Sequence, residues 1–260
     1  ESDVASFSVA KSYISALIGI AIDEGKIKSE NDRVIDYVAE LKGVEGWDKV
    51  SIHHLLQMAS GVNFTEKYNT PFSGAAKIYY GRTLRKALSK LKIEKDPMSG
   101  FEYKSINSQL LGLILERATG KRVTEYLDEK IWKPLGMEYD GSWSLDKKKD
   151  GLEKTFCCIN AKARDFAKFG RLYLNDGNWN GTQIVSKSWV EKSTEVNTEQ
   201  GAAWFYNRQW WIGSELNGDF SAIGHLGQYI YVQPKKNLIM VRLGTGRANE
   251  DWINVLRQVA

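Results

Sequence analysis

The chain has 260 residues, 42% hydrophobic and 26% charged, enough for one large domain or two lobes with an ample core. Its net charge of +4 is spread out apart from short runs such as Lys147–Lys149, which reads as solvated surface rather than a nucleic-acid footprint. No apolar run approaches the roughly 18 residues that span a membrane, and residues 1–7 are too few and too polar for a signal peptide; the abrupt Glu-Ser-Asp start reads as that of a processed or trimmed product.

Residues 8–24 predict a helix. Val9, Ile14, Leu17, Ile18 and Ala21 fall near one face and Gly25 supplies a stop. Gly19, Ile20 and Ile22 lie off that stripe, so the helix is apolar nearly all round and should be central and buried. Residues 31–41 and 51–58 read as short helices, the second N-capped by Ser51 and ended at Ser60-Gly61. The polar, aromatic stretch 62–81 reads as a loop. Residues 82–91 read as helical, and Asp96–Gly100 as a turn. An amphipathic helix over 107–118 is closed by Gly120, and another over 123–134 is stopped at Pro134. Residues 160–175 and about 186–194 are expected to be helical again.

The period then changes. WFYNRQWWI, GQYIYVQP and NLIMVRLG predict three strands, separated by Asn217-Gly218-Asp219 and by Pro234–Asn237, the last two forming a hairpin. Residues 249–259 finish as a helix. One buried helix, a helical middle, consecutive strands and a closing helix predict an α/β (α+β) fold: an antiparallel sheet flanked by helices, with an inserted helical lobe. The only cysteines, Cys157 and Cys158, are adjacent. A disulfide between neighbours is strained and rare, so they read as two thiols that neither staple the fold nor bind zinc.

Lys11 stands in the first turn of the 8–24 helix, where a positive charge opposes the helix dipole and costs a few tenths of a kcal/mol. Ser8 lies three residues earlier, on the same helical face. A serine hydroxyl needs a neighbouring base to become a nucleophile. Burial and the positive helix end both favour a neutral lysine, which can be that base, and the helix N-terminus offers N–H groups to a developing oxyanion. The spacing alone is weak, since Ser89/Lys92 and Ser144/Lys147 share it; only Ser8/Lys11 opens a buried helix. His53, His54 and His225 have no G-x-S-x-G elbow to serve, and without H-E-x-x-H they make no metal site.

FSVAKS at 7–12, FEYKSINSQLLG at 101–112 and GHLGQYIYV at 224–232 follow the order and rough spacing of the serine β-lactamase-like hydrolases. That superfamily includes class C β-lactamases, D-alanyl-D-alanine peptidases, serine esterases and 6-aminohexanoate-dimer hydrolases. VSIHHLLQMASGV at 50–62, LERATGK at 115–121, IWKPLGM at 131–137 and INAKARDFAKFGRLYLNDG at 159–177 extend the resemblance over nearly the whole chain. It implies a β-lactamase/transpeptidase-like fold: one catalytic domain over 1–260, with residues 1–30 and 160–260 in an α/β lobe and 31–159 in a mainly helical lobe. It implies that Ser8 is acylated, that Lys11 is its base partner, and that Tyr103 carries the proton to the leaving group. Ser105 falls where β-lactamases place an asparagine that contacts the substrate amide. His225-Leu226-Gly227 falls on Lys-Thr-Gly, and the N–H groups of Gln228 and Ser8 would form the oxyanion hole. No metal or cofactor is implied.

The departures shape the expected function. His225 in place of the carboxylate-holding lysine is neutral much of the time at pH 7, and Ser105 lacks the amide donor of asparagine. Both fit the esterase and amidase branches better, above all the 6-aminohexanoate-dimer-hydrolase-like one, with a small ester or linear amide as substrate. The alternative is a D,D-peptidase or weak β-lactamase, for whose positive subsite the sequence offers His225 or Arg247. A non-catalytic penicillin-recognising protein is the reading of another class; it would not need Ser8, Lys11 and Tyr103 together. Residues 204–213 would either line the cleft or belong to the sheet core. The family places a leading helix and two strands before the nucleophile, so the sheet is expected to lack those strands, either through an omitted segment or through a separate N-terminal piece that completes it. The family leans to a periplasmic or secreted setting, with a cytoplasmic one open.

Overall fold

The computed structural model describes residues 3–68, 70–213, 215–246 and 250–260. The chain enters through a two-residue strand, β1 (Val4–Ala5), then a 3-10 turn over Phe7–Val9 that runs into α1 (Ala10–Asp23). Every residue of α1 from Ala10 to Ala21 is buried, as an all-round apolar helix requires. Tyr13 of α1 stacks on Phe169 at 3.7 Å between ring centroids. On another face the helix approaches Trp189 so closely that a Cβ at Gly19 would sit 2.5 Å from the indole.

Short helices follow: α2 (Val34–Tyr37), α3 (Ile52–Leu56), α4 (Gly74–Tyr80) and α5 (Leu84–Leu88). Ser51 caps α3 as expected, accepting from the His54 N–H while its own N–H donates to His54 Nδ1. Helix α4 departs from the loop expected over 62–81. Ser73 caps it by accepting from the Ala76 N–H, and Ala75, Ala76 and Ile78 are buried, a three-residue apolar face too short to read as periodic. The long α6 (Ser105–Thr119) ends at Gly120 with φ +68°, the left-handed C-cap that glycine allows. It packs along α1. Then come α7 (Val123–Leu127), continued by a π-helical turn over Asp128–Trp132, and two strands, β2 (Ser142–Trp143) and β3 (Ile159–Ala161). They form a small antiparallel sheet with β1 in the order β1-β3-β2. Residues 159–161 are thus strand rather than the start of the helix expected from 160, which begins at Ala163.

The remaining elements are α8 (Ala163–Leu174), the ribbon β4 (Asn178–Trp179) and β5 (Thr182–Gln183), α9 (Lys187–Thr194), then β6 (Tyr206–Asn207), β7 (Trp210–Ile212), β8 (Phe220–Gly224), β9 (Gln228–Gln233), β10 (Leu238–Arg242) and α10 (Trp252–Val259). Residue 249 of the expected last helix lies outside the described residues. Strands β6 to β10 make an antiparallel sheet in the order β10-β9-β8-β7-β6. The β9–β10 hairpin is the one expected, with Leu238 opposite Gln233. Two differences lie upstream. WFYNRQWWI is itself a hairpin, reversed by Arg208 and Gln209 at φ +39° and +69°, and FSAIG supplies the strand β8, whose small residues carry little strand signal. Helix α8 lies across β9 and β10, where Gly170 lets the backbone approach Ile230 and Ile239.

Gln209 holds the layers together. Its amide donates to the Leu55 and Leu56 carbonyls, its side-chain oxygen accepts from Ser108 Oγ at 2.6 Å, and its backbone carbonyl accepts from Ser12 Oγ at 2.8 Å. One buried glutamine thereby joins α1, α3, α6 and the sheet. The adjacent cysteines correct an expectation: Cys157 and Cys158 are joined in a disulfide. Cys158 takes a left-handed backbone, φ +72°, within a turn that carries both buried side chains. The bond closes no long loop, so it tethers no distant segments. No helix among the described residues is long and apolar enough to cross a membrane.

Candidate active site

Ser8 sits in the 3-10 turn just ahead of α1, immediately after Phe7, whose φ of +46° is an unusual left-handed setting for a side-chain-bearing residue. Lys11 Nζ lies 3.1 Å from Ser8 Oγ. Its second contact is the Phe156 carbonyl, 2.5 Å away. Lys11 is 1% exposed and, among the described residues, bonds no carboxylate. Burial therefore penalises its charged form, and against the opposing pull of Glu66 its pKa falls to about 7. Half of the amine is neutral near neutral pH.

Tyr103 lies two residues before α6. Its ring is 5.2 Å from Lys11 Nζ and stacks on Trp211 at 5.6 Å. Burial raises its phenol pKa well above the usual value, with Glu66 and Tyr68 adding to the effect and a hydrogen bond with Ser8 opposing it. The phenol stays protonated at neutral pH. Ser8, Lys11 and Tyr103, far apart in sequence apart from the first two, thus meet.

Ser8 and Tyr103, with Lys11 behind Ser8, face a cavity of about 490 Å³ that Ser105 also lines and that Phe7, Tyr68, Tyr79, Phe156, Trp211 and Ile223 help to wall. The described lining residues carry no carboxylate, ammonium or guanidinium. The aromatic stretch 204–213 divides: Trp211 lines the cavity, Tyr206 and Trp210 are buried, and Trp204 is 53% exposed.

Ser105 lines the cavity but its hydroxyl is engaged, donating to Glu66 Oε1 at 2.5 Å while its N–H donates to Glu66 Oε2 at 2.8 Å. His225 reaches the wall between Phe7 and Tyr68, each ring centroid 5.6 Å away. Gln228 and Gly227 are not brought to this wall. Gln228 is fully buried behind it, its amide donating to the Gly244 carbonyl and its side-chain oxygen accepting from the Gly244 N–H. Gly227, at φ +80°, backs onto Arg242, whose Nη1 would sit 2.1 Å from an added Cβ. The wall residues on that side are Gly224 and His225. Gly224 is needed there, because a Cβ would fall 2.2 Å from the Ser6 carbonyl oxygen. Arg247 lies outside the described residues.

Two participants have no signature in the sequence. The Phe156 acceptor is a backbone carbonyl, which any residue could supply. Glu66 lies in a stretch whose only readable quality is polarity; a carboxylate 39 positions before Ser105 gives no local pattern.

The comparisons with known proteins agree with this architecture. The Beta-lactamase family model matches residues 4–259. A 6-aminohexanoate-dimer hydrolase of Paenarthrobacter ureafaciens is 30% identical over 263 residues, covering 92% of this chain. This chain spans 65% of that relative's length. A solved Bacillus anthracis structure, a candidate 6-aminohexanoate-dimer hydrolase, superposes with a TM-score of 0.86 at 27% identity, over 99% of this chain and 71% of its own. A family VIII carboxylesterase (TM-score 0.75, 20% identity, 98% of this chain and 81% of that one) shares the fold. So does a penicillin-binding protein of Bacillus halodurans (0.77, 17%, 100% and 87%). The chain belongs to the Beta-lactamase family, a family of β-lactamase-like serine hydrolases.

Proposed function

We propose that this chain is a serine hydrolase that cleaves small esters or linear amides through an acyl-enzyme on Ser8. The observation that carries the reading is the buried Lys11, depressed to about 7 and 3.1 Å from Ser8 Oγ, at the edge of an aromatic cavity whose described lining holds no carboxylate, ammonium or guanidinium. Neutral Lys11 takes the hydroxyl proton as Ser8 Oγ attacks the substrate carbonyl. The tetrahedral oxyanion is held by the N–H of Ser8 and, in place of that of Gln228, the N–H of His225 on the facing wall. Tyr103, a protonated phenol beside Ser8, passes the proton to the departing alcohol or amine, and the acyl–leaving-group bond breaks. Water then attacks the acyl-enzyme by the reverse route and releases the acid.

The lining supports the ester and amide branches over the D,D-peptidase or weak β-lactamase alternative, which needs a cation to hold a substrate carboxylate. Of the described lining residues only His225 offers one. The names of two relatives, a 6-aminohexanoate-dimer hydrolase and a carboxylesterase, fit the same branches, while that of the penicillin-binding protein fits the alternative. A purely penicillin-recognising role would leave the depressed lysine without a purpose.

Intact-mass spectrometry after fluorophosphonate treatment, alongside p-nitrophenyl butyrate turnover, tests the reading. One adduct and measurable turnover are expected for the chain, and neither for Ser8→Ala. An adduct that persists in Ser8→Ala would place the nucleophile elsewhere.

A further inference from the structure

We propose that Glu66 is a positioning residue for this reaction: it pins the Tyr103–Ser105 segment from the loop opposite, and its charge acts on Lys11. The inference rests on the Ser8–Lys11 reading above and adds a residue to it.

The geometry comes first. Both carboxylate oxygens are committed to one residue, Oε2 to the Ser105 N–H at 2.8 Å and Oε1 to the Ser105 hydroxyl at 2.5 Å. Oε1 also accepts from the Tyr68 hydroxyl. Ser105 is the first residue of α6, so the carboxylate meets an unsatisfied N–H at the positive end of a 15-residue helix. Tyr103 is two residues upstream, and the same carboxylate holds Tyr68, whose ring lies 5.6 Å from His225. A single side chain therefore ties the loop that roofs the cavity to the segment carrying Tyr103. Such charge-assisted bonds are about twice as strong as neutral ones.

The charge has a second effect. The groups around Lys11 are Ser8 from its own turn, Tyr103 with Tyr206 behind it, the Phe156 carbonyl, Glu66 with Tyr68 from the 62–73 loop, and His225 across the cavity. The charge that opposes the burial of Lys11 is that of Glu66. It favours the ammonium form without forming a bond to it. The neutral amine is the reactive form, so activity should rise with pH through the Lys11 titration, and removal of the Glu66 charge should move that rise to lower pH.

The test is the pH profile of kcat/KM for p-nitrophenyl butyrate from pH 5 to 9, with fluorophosphonate labelling rates beside it. Glu66→Gln keeps an oxygen acceptor for Ser105 but loses the charge. Its acidic limb is expected to move down by about half a pH unit or more, with a plateau within about tenfold of the parent. Glu66→Asp keeps the charge but shortens the reach. It is expected to lose plateau activity without a shift of the limb. A limb unmoved in Glu66→Gln, whatever the plateau, would overturn the proposal and leave Glu66 a structural tether. Should Glu66→Gln not fold, Ser105→Ala decides: it removes one bond and keeps the charge, so an unshifted limb with a lowered plateau supports the proposal and a shifted limb overturns it. The underlying reading fails separately, if the parent limb survives in Lys11→Ala.

Discussion

Lys11 and His53 are both basic side chains folded into the same molecule, yet their surroundings drive them in opposite directions. Lys11 meets a hydroxyl and a carbonyl, the Glu66 charge only partly opposes its burial, and its pKa falls to about 7. His53 lies between two carboxylates, its Nδ1 3.2 Å from Glu30 and its Nε2 2.6 Å from Glu199. Burial alone would lower its pKa, but the bonds and charges of Glu30 and Glu199 outweigh burial and raise it. Glu30 is held down to about 2, because hydrogen bonds from His53 and Arg208 overcome its own burial. The Arg208 guanidinium grips that carboxylate through Nε at 3.0 Å and Nη2 at 2.9 Å. One cluster favours the neutral form of its base, the other the charged forms of His53 and Glu30. The first suits a proton acceptor; the second ties the 24–33 turn, α3 and the β6–β7 hairpin together.

Substitutions should separate the two clusters cleanly. Lys11→Ala is expected to cut turnover and fluorophosphonate labelling by about two orders of magnitude or more, with the urea midpoint unchanged or raised, because a buried amine has been removed. Normal turnover would abolish the distinction. Arg208→Ala should do the reverse. It removes two of the bonds on the Glu30 carboxylate, leaving that of His53, and is expected to cost about 3 kcal/mol in urea denaturation, while activity per folded molecule holds. The smallest effect is in pH dependence. Because the folded pKa of His53 is raised, its contribution to stability is complete below about 6.5 and is lost as pH rises through the raised value. Glu30 behaves oppositely: its contribution is present above about 4.5 and is lost as pH falls toward about 2. Urea midpoints of His53→Gln should be flatter than those of the parent on the alkaline side, and an unchanged slope there would dissociate His53 from the tie.

Much of this was legible in the residues. The helix at 8–24 announced its burial through its all-round apolar surface, Ser51 and Gly120 marked helix ends by local chemistry, and the β9–β10 hairpin followed from two aromatic and β-branched runs around a turn. What stayed hidden depends on distant partners. Strand β8 owes its conformation to β7 and β9 on either side rather than to Ser221 and Ala222. Helix α4 buries Ala75, Ala76 and Ile78 within a polar stretch. Ser8 and Lys11 were readable because they are three residues apart. Tyr103 came only through the resemblance, as did His225, which lines the cavity, and nothing in the residues showed that the Gln228 side chain bonds Gly244.

The close approach of Gly224 to the Ser6 carbonyl has a practical side for protein engineering. The backbone that seats Ser8 rests directly against the end of β8, with no side chain between them to absorb error. The placement of the nucleophile is therefore a matter of main chain against main chain. The aromatic side chains opposite, Tyr79 and Tyr80 on α4, belong to another segment altogether. A library that reshapes substrate choice can vary Tyr79 and Tyr80 while leaving residue 224 alone, since the frame that seats Ser8 and the wall that sorts substrates are carried by separate parts of the chain.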